Sequence, residues 1–145
     1  LGALVAGLDA GLKYNTWPLI EGGLMPELDR LFFLSPLWRN LFENDLMVQF
    51  NHRMFADAVW GLSLLQIYLA RRFGCDQRGP IILAVLMTLQ AVVGIVTLLY
   101  EAPLALALAH QALAIVVLTY SVMYAEQVMH DARLQAPRAA AAVRA

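Results

Sequence analysis

Three runs of apolar residues in this chain are long enough to cross a lipid bilayer. They cover residues 46–70, 81–99 and 104–125. A membrane-spanning helix needs roughly 20 mostly apolar residues, and each run is close to that length. The first run is the least apolar of the three, because it carries the polar sequence "QFNHR" (residues 49–53) near its start. The pattern predicts an all-α fold, a polytopic membrane helix bundle.

Prolines mark where two of the predicted helices begin. Pro80 stands at the start of the second run and Pro103 just before the third. Proline suits the first turn of a helix, where its missing N–H is not needed. Segment 18–45 is polar and aromatic and predicts a long loop. Within this loop, residues 35–44 predict a short surface helix with Ser35 as its N-cap.

Both ends of the chain depart from the spanning pattern. Residues 1–17 contain an apolar stretch too short to span alone, so we expect them to be the end of a truncated span and the chain to be a fragment. Residues 129–145 are low in complexity and predict a disordered tail. The remaining part, residues 1–128, therefore holds one partial and three full transmembrane helices.

The composition agrees with a membrane protein. Hydrophobic residues make up 61% of the chain and charged residues 14%, whereas a soluble domain is about half apolar and about a quarter charged. The net charge of −1 gives no indication of nucleic-acid binding. Cys75 is the only cysteine, which excludes an internal disulfide and a metal site built from several cysteines.

The distribution of charged residues predicts the orientation of the spans. Arginines are concentrated in residues 71–79 and in the tail, so both segments are expected in the cytoplasm. Segment 18–45 carries five acidic residues against two arginines, and the hairpin 100–103 carries one glutamate and no basic residue. Both of these segments are expected outside. The assignments alternate through all three spans and place the C-terminus in the cytoplasm.

Two histidines lie at matching depths in the predicted bundle. His52 is about six residues into the first run and His110 about six into the third. At a rise of about 1.5 Å per residue, each lies roughly 9 Å below the outer end of its helix. Two imidazoles on parallel spans suit axial ligation of a haem, since histidine is a usual axial ligand. The alternative is two separate histidines, each hydrogen-bonded within the bundle.

Small and polar residues share one face of each predicted helix. These are Gln49, His52, Ala56, Val59 and Ser63 on the first, Gln90, Gly94 and Thr97 on the second, and Ala107, His110, Ala114, Val117 and Ser121 on the third. Such faces either pack closely against other helices or leave room for a flat macrocycle. Arg53 either holds a haem propionate or pairs with Asp57 one turn further along. Lys13 and Arg39 are further candidate propionate partners.

Three stretches of the chain resemble the C-terminal half of haem A synthases, membrane enzymes of cytochrome-oxidase assembly. They are "GALVAGLDAGLKYNTWP", "SPLWRNLFENDLMVQFNHR" and "GIVTLLYEAPLALALAHQALA". Members of that family have eight spanning helices in two similar four-helix halves, and they oxidise the C8 methyl of haem O to the formyl group of haem A. The resemblance covers about residues 2–125 and implies that residues 1–128 are the C-terminal, haem-binding half, in an inner (cell) membrane.

The resemblance also implies a cofactor and its ligands. His52 and His110 match the iron ligands of a haem b cofactor, and Gln49 and Arg53 complete the predicted cofactor-binding set. In the other half of the family, which holds haem O, a glutamate stands three positions before the first histidine and is thought to serve the oxidation. Gln49 takes that place here, and an amide cannot act as a carboxylate base. We therefore expect no catalytic residue in this chain, and no activity on haem O from the chain alone.

The implied partners are haem O in the other half, the lipid bilayer, an electron donor, a haem O synthase and further copies of the chain. Two other functions remain open. One is a stand-alone membrane module that carries electrons through haem b, and the other is a transporter or assembly fragment without haem, in which the histidines line a polar path.

Overall fold

The computed structural model describes residues 1–142, with side chains as far as Arg133, and is built from helices. The helices are α1 (Gly2–Gly7), α2 (Ala10–Lys13), α3 (Leu28–Leu31), a 3-10 helix (Leu37–Arg39), α4 (Asn40–Glu43), α5 (Asp45–Arg72), α6 (Arg78–Leu99) and α7 (Leu104–Ala142). No strand occurs in the part of the chain that the structure describes, so the predicted all-α class is confirmed.

The three long helices coincide with the three predicted apolar runs. Among the described residues, α6 and the Leu104–Arg133 part of α7 are long and apolar enough to cross a membrane. Helix α5 has the necessary length, with 28 residues, but its polar residues leave it short of the same apolar character. Length and composition therefore support α6 and α7 as membrane-spanning helices. The third predicted span corresponds to α5, which meets the length requirement only.

Helix α7 extends beyond the predicted span. It continues to Ala142, whereas the sequence predicted a span ending at residue 125 and a disordered tail over residues 129–145. Residues 126–135 contain no glycine or proline and are mostly good helix formers, which explains why the helix continues beyond residue 125. The last three positions of the predicted tail, residues 143–145, lie outside the described residues.

The N-terminal segment is helical but bent. Helix α1 ends at Gly7, and Asp9 then adopts a left-handed conformation with φ of 51° before α2 begins at Ala10. Aspartate is one of the few non-glycine residues that adopt this conformation readily. Both short helices pack against α5. The sequence predicted a helix ending in this segment, and the break within it was not expected.

The predicted loop 18–45 folds back onto the beginning of α5. Ile20 and Leu31 from the loop, together with Leu46 and Met47 from α5, form a buried apolar cluster. Tyr14 and Phe50 pack around the edge of this cluster. The loop is therefore a packed layer over the beginning of α5.

Two buried asparagines hold this layer together. The Asn44 side chain caps α5, because its oxygen accepts the Met47 N–H over 3.2 Å, and its amide donates to the Arg30 carbonyl over 2.9 Å. Asn40 donates its amide N–H groups to the carbonyls of Leu34 and Leu37, each over 3.0 Å. Both asparagines are almost fully buried, at 0% and 1% exposure for Asn40 and Asn44. Buried amides of this kind are stabilising only because their hydrogen bonds are made.

The predicted short helix within residues 35–44 is present, but its predicted cap is wrong. A 3-10 turn begins at Leu37, and Pro36, not Ser35, occupies the capping position without a side-chain hydrogen bond. Proline cannot donate a backbone hydrogen bond and favours the extended conformation seen at this position. The Asn40 and Asn44 contacts therefore replace the hydroxyl cap as the local anchor.

Helix α6 lies between α5 and α7 and packs against both. The Trp60 indole N–H donates to the Thr88 hydroxyl over 3.0 Å, which joins α5 to α6. The Thr97 hydroxyl lies 3.3 Å from the Leu106 carbonyl and the Tyr120 hydroxyl lies 3.2 Å from the Gly79 carbonyl, which joins α6 to α7 at both ends. A site shared by α5 and α7 must therefore lie over the face of α6.

Large apolar side chains cover the outward faces of the long helices. Phe55 on α5, Val85 on α6 and Leu118 on α7 are 61%, 61% and 65% exposed. Contiguous apolar surface of this kind is typical of contact with lipid or with another part of a protein. Gln49, His52 and Gln90, by contrast, are buried or half-buried between the helices.

Candidate functional site

A cavity of about 230 Å³ lies at the end of the bundle where α5 and α7 begin, bordered by the N-terminal segment, α5, α6 and α7. Its walls include all four residues predicted from the sequence as cofactor-binding. They are Gln49, His52, Arg53 and His110. Sites for small molecules usually occupy about 300–1,000 Å³, so a ligand as large as a porphyrin would extend beyond the enclosed volume. The fold thus brings together side chains that are up to 61 positions apart in the sequence.

The face of α6 that was predicted to be small and polar lines one side of the cavity. Gln90, Gly94 and Thr97 all line it. A Cβ atom at Gly94 would lie 2.7 Å from Cε1 of His110, which is closer than real side chains approach. Only glycine at this position lets the imidazole rest against the backbone of α6. The small residue on this face therefore serves close packing of His110 in the structure as it stands.

The two histidines have different surroundings. Nε2 of Gln90 lies 3.2 Å from Nδ1 of His110 and 3.1 Å from the His110 carbonyl oxygen, so the amide holds this imidazole. His52 is half-buried beside α1, where a Cβ atom at Gly2 would lie 3.9 Å from its Cε1. Within residues 1–133 no hydrogen bond reaches the His52 ring. The alternative interpretation was that each histidine is hydrogen-bonded separately within the bundle. In the described part of the chain, His110 is bonded in this way and His52 is not.

Arg53 joins the cavity to the loop above it. Its guanidinium donates to the Tyr14 carbonyl over 2.9 Å and to the Leu19 carbonyl over 3.3 Å. Asp57 also lines the cavity, but no ion pair between Arg53 and Asp57 is among those formed by the described residues. The predicted helix ion pair is therefore absent from this part of the chain, and the arginine instead anchors the loop over the site.

The other two candidate propionate partners are engaged elsewhere. Lys13 forms an ion pair with Asp45, and Arg39 forms one with Glu43 one helical turn away. Neither Lys13 nor Arg39 lines the cavity. The hydrogen bond from Arg39 lowers the pKa of the Glu43 carboxyl below its ordinary value. Both cations therefore stabilise the outer layer and leave Arg53 as the cation that borders the cavity.

Three buried polar atoms without hydrogen-bond partners occur in the described part of the chain, and all three belong to residues of this cavity. They are Oε1 of Gln49, Nε of Arg53 and Oε1 of Gln90. A buried donor or acceptor without a partner costs about 1–3 kcal/mol, and native proteins contain few of them. Their concentration around one cavity indicates a site whose polar edge is completed by a ligand or by water.

The apolar part of the wall was not predicted from the sequence. Met87, Ala91, Ile95 and Leu98 on α6, together with Trp17 from the N-terminal segment, line the cavity beside the polar residues. The α6 residues follow one another at helical spacing next to Gln90 and Gly94, and this spacing was the signal that could have identified them. Trp17 lies on an irregular segment, where no periodicity points to the cavity.

Parts of the predicted faces lie elsewhere. Val59 is 45% exposed, and Ser63 is buried with its hydroxyl donating to the Trp60 carbonyl of its own helix. On α7 the four predicted residues other than His110 do not line the cavity. The cavity spans only the first turns of α5 and α7 and the last turns of α6, which is why the predicted faces lose contact with it further along.

A family model described as "Cytochrome oxidase assembly protein" matches residues 1–122 of the chain. A protein named Heme A synthase from Rhodopseudomonas palustris strain BisB5 is 52% identical over 140 residues, which is 95% of this chain and 39% of the relative. Another of that name from Bradyrhizobium diazoefficiens is 54% identical over 129 residues, which is 88% of this chain and 36% of the relative. The chain thus spans less than half the length of these relatives. No solved structure is significantly similar to it.

Proposed function

We propose that this chain, which belongs to the haem A synthase family of cytochrome oxidase assembly proteins, is the haem b-binding half of such an enzyme. The whole protein would oxidise the C8 methyl of haem O to a formyl group and so make haem A for cytochrome c oxidase. The observation that carries the proposal is that His52 and His110 line one cavity together with unpartnered polar atoms.

The donor set supports haem over a bare metal ion. Among the described residues, no three histidine, cysteine, aspartate or glutamate side chains lie close enough to hold a metal ion. Two imidazoles bind iron firmly only when another group provides the remaining ligands, and a porphyrin provides them through its own nitrogens. When bound, haem supplies one-electron redox chemistry, while the protein supplies ligands, orientation and electrostatics.

Each residue of the cavity has a role in this proposal. His52 and His110 are the iron ligands, and the apolar side chains of α6 exclude water from the macrocycle. Arg53 borders the cavity beneath the outer loop, and its unpartnered Nε is a donor available to a carboxylate such as a propionate. Gln49 contributes a neutral amide whose oxygen has no partner. Since no carboxylate stands at position 49, the oxidation would take place in the half outside this chain.

The membrane arrangement belongs to the same proposal. Helices α5, α6 and α7 would be the last three of eight spans in an inner (cell) membrane, preceded by the span that ends in α2. The arginines between α5 and α6 and in the C-terminal segment support a cytoplasmic location for those segments, and the cavity would then open toward the outer side. The electron donor, a haem O synthase and further copies of the chain are its proposed partners.

A reduced-minus-oxidised spectrum of the detergent-solubilised protein tests the proposal. We expect a low-spin b-type haem signal in the wild type, lost or converted to high spin in both His52→Ala and His110→Ala. His130→Ala is the matched control, because His130 lies on the exposed surface of α7 and should leave the signal unchanged. A folded wild-type protein without haem, or a low-spin signal that survives both cavity substitutions, would show that the proposal is wrong.

A further inference from the structure

We propose that Gln90 is the positioning residue for His110, and that its amide sets which imidazole nitrogen carries the proton. The inference rests on the proposed function, in which His110 ligates haem iron. It adds a role for a residue on α6 that touches no iron itself and acts only through the ligand on α7.

The geometry confines the imidazole between two features of α6. On one side, Nε2 of Gln90 lies 3.2 Å from Nδ1 and 3.4 Å from Nε2 of His110. On the other side, the ring lies against Gly94, where even a Cβ atom would come within 2.7 Å of it. Gln90 and Gly94 are one helical turn apart, so α6 presents the amide and the open backbone on the same face. His110 therefore takes its orientation from α6.

The contact also bears on the tautomer, because Nε2 of Gln90 is within reach of both ring nitrogens of His110 but lies nearer to Nδ1. A neutral imidazole has one N–H donor and one acceptor nitrogen. When Nδ1 of His110 accepts from the amide of Gln90, the proton must be on Nε2, and Nε2 then has no lone pair for a metal. Ligation through Nε2 requires the proton on Nδ1, and a metal-bound histidine generally donates that N–H to an acceptor. An Nδ1 that accepts from Gln90 therefore differs from the arrangement that iron ligation by Nε2 of His110 would need.

The missing acceptor lies on the same side chain. Oε1 of Gln90 is buried and without a hydrogen-bond partner. The nitrogen and oxygen of an amide are similar in size, so a rotation of the Gln90 amide exchanges donor and acceptor with little change in packing. Rotation replaces the 3.1 Å bond to the His110 carbonyl by a contact between two acceptor oxygens, so it becomes favourable only when ligation through Nε2 leaves the proton on Nδ1. In return, Oε1 gains the Nδ1 proton as its partner. Within residues 1–133 no side chain makes a comparable hydrogen bond to the His52 ring. Gln90 therefore sets the tautomer of His110 alone.

Two isosteric substitutions separate this role from simple packing. Gln90→Glu keeps an acceptor and removes the donor, while Gln90→Met removes both at similar volume. A stronger acceptor at Nδ1 makes the imidazole a more electron-rich ligand and stabilises oxidised iron. We expect the midpoint potential of the bound haem to fall in Gln90→Glu and to rise in Gln90→Met. Gln111→Leu is the matched control, because Gln111 is the exposed neighbour of His110, and it should leave the potential unchanged.

A second measurement does not depend on bound haem. Nitrogen-15 NMR of histidine-labelled protein distinguishes the two tautomers. In the haem-free protein we expect His110 to carry its proton on Nε2 in the wild type, on Nδ1 in Gln90→Glu, and on a mixture of both in Gln90→Met. Assignment by His110→Ala identifies the resonance.

The outcomes separate the inference from the proposed function. Potential shifts of opposite sign together with the expected tautomers would support the positioning role. Haem bound in the wild type, with the same potential in all Gln90 variants or with shifts of one sign only, would overturn the role of Gln90 and leave the haem proposal standing. A tautomer that does not respond to Gln90 would overturn it as well. Absence of haem from the folded wild type would reject the proposed function itself, whatever the tautomers show.

Discussion

Replacing Gly94 by alanine tests whether the His110 imidazole depends on the open backbone of α6. The new Cβ would lie 2.7 Å from Cε1 and 3.3 Å from both ring nitrogens of His110. The imidazole cannot move freely, because Gln90 holds it from the other side. The substitution therefore forces either the ring or the contact between α6 and α7 to shift.

The size of the effect follows from two opposing contributions. Overpacking a filled site costs about 1–3 kcal/mol, while alanine is favoured over glycine within a helix by up to about 1 kcal/mol. Stability should therefore fall only slightly. Haem binding should suffer more, because it needs the imidazole in a defined position. If the overpacking cost falls on the bound state, affinity should weaken by roughly 5-fold to 150-fold.

A haem titration followed by absorbance measures this loss, with Gly61→Ala on α5 as the control. A Cβ at Gly61 would have no neighbour within 4 Å, so that substitution should leave affinity unchanged. A double-mutant cycle then locates the clash, since the destabilisation by Gly94→Ala should disappear when His110→Ala is already present. Affinity equal to that of the wild type in Gly94→Ala, or an equal loss of stability in both backgrounds, would refute the packing of His110 against α6.

Three further predictions concern the scaffold around the site. Asn44→Ala should lower the free energy of unfolding by about 1–3 kcal/mol, because it removes the cap of α5 and a buried amide donor; denaturant unfolding measures it. Gly79→Ala should loosen α6 from α7, since its Cβ would overlap the Tyr124 ring, and Tyr124→Ala should relieve part of the damage to the melting temperature. The hydrogen bond from Arg39 lowers the pKa of the Glu43 carboxyl. The stabilisation by this ion pair should therefore be complete above the ordinary pKa of 4.5 and should be lost as the pH falls through the lowered pKa of folded-state Glu43. Thermal melts between pH 3 and 7 should show that dependence weakened in Glu43→Gln.

The sequence predicts the long helices well because their signal is local. A run of apolar residues of the right length specifies a spanning helix without reference to its neighbours. The side chain of Asn44 caps α5, which is also a local interaction. The sequence nevertheless pointed to Ser35, and not to Asn44, as a capping residue. What the sequence could not predict is the folded layer of residues 18–45, because its core joins residues more than 20 positions apart.

The candidate site shows the same division. Gln49, His52, Arg53 and His110 were predicted because polar side chains are conspicuous in apolar helices. Their hydrogen-bond partners were not predicted, because partner choice depends on how each helix is rotated against the next. The contact of Gln90 with His110 requires a specific rotation of α6 against α7, and the bonds of Arg53 require loop carbonyls whose position no periodic pattern describes.

The polar start of α5 has a physical explanation in the structure. Polar and charged groups are costly in hydrocarbon, so a helix that carries several of them must turn them away from lipid. Gln49, His52, Arg53 and Asp57 all line the cavity, while Phe55 on the same turns is 61% exposed. The apolar face of α5 is thus free to meet lipid, and the polar face is covered by the N-terminal segment, the loop and the contents of the cavity. The same residues that make α5 the least apolar of the long helices are therefore the ones that border the cavity, where a ligand would keep them away from lipid.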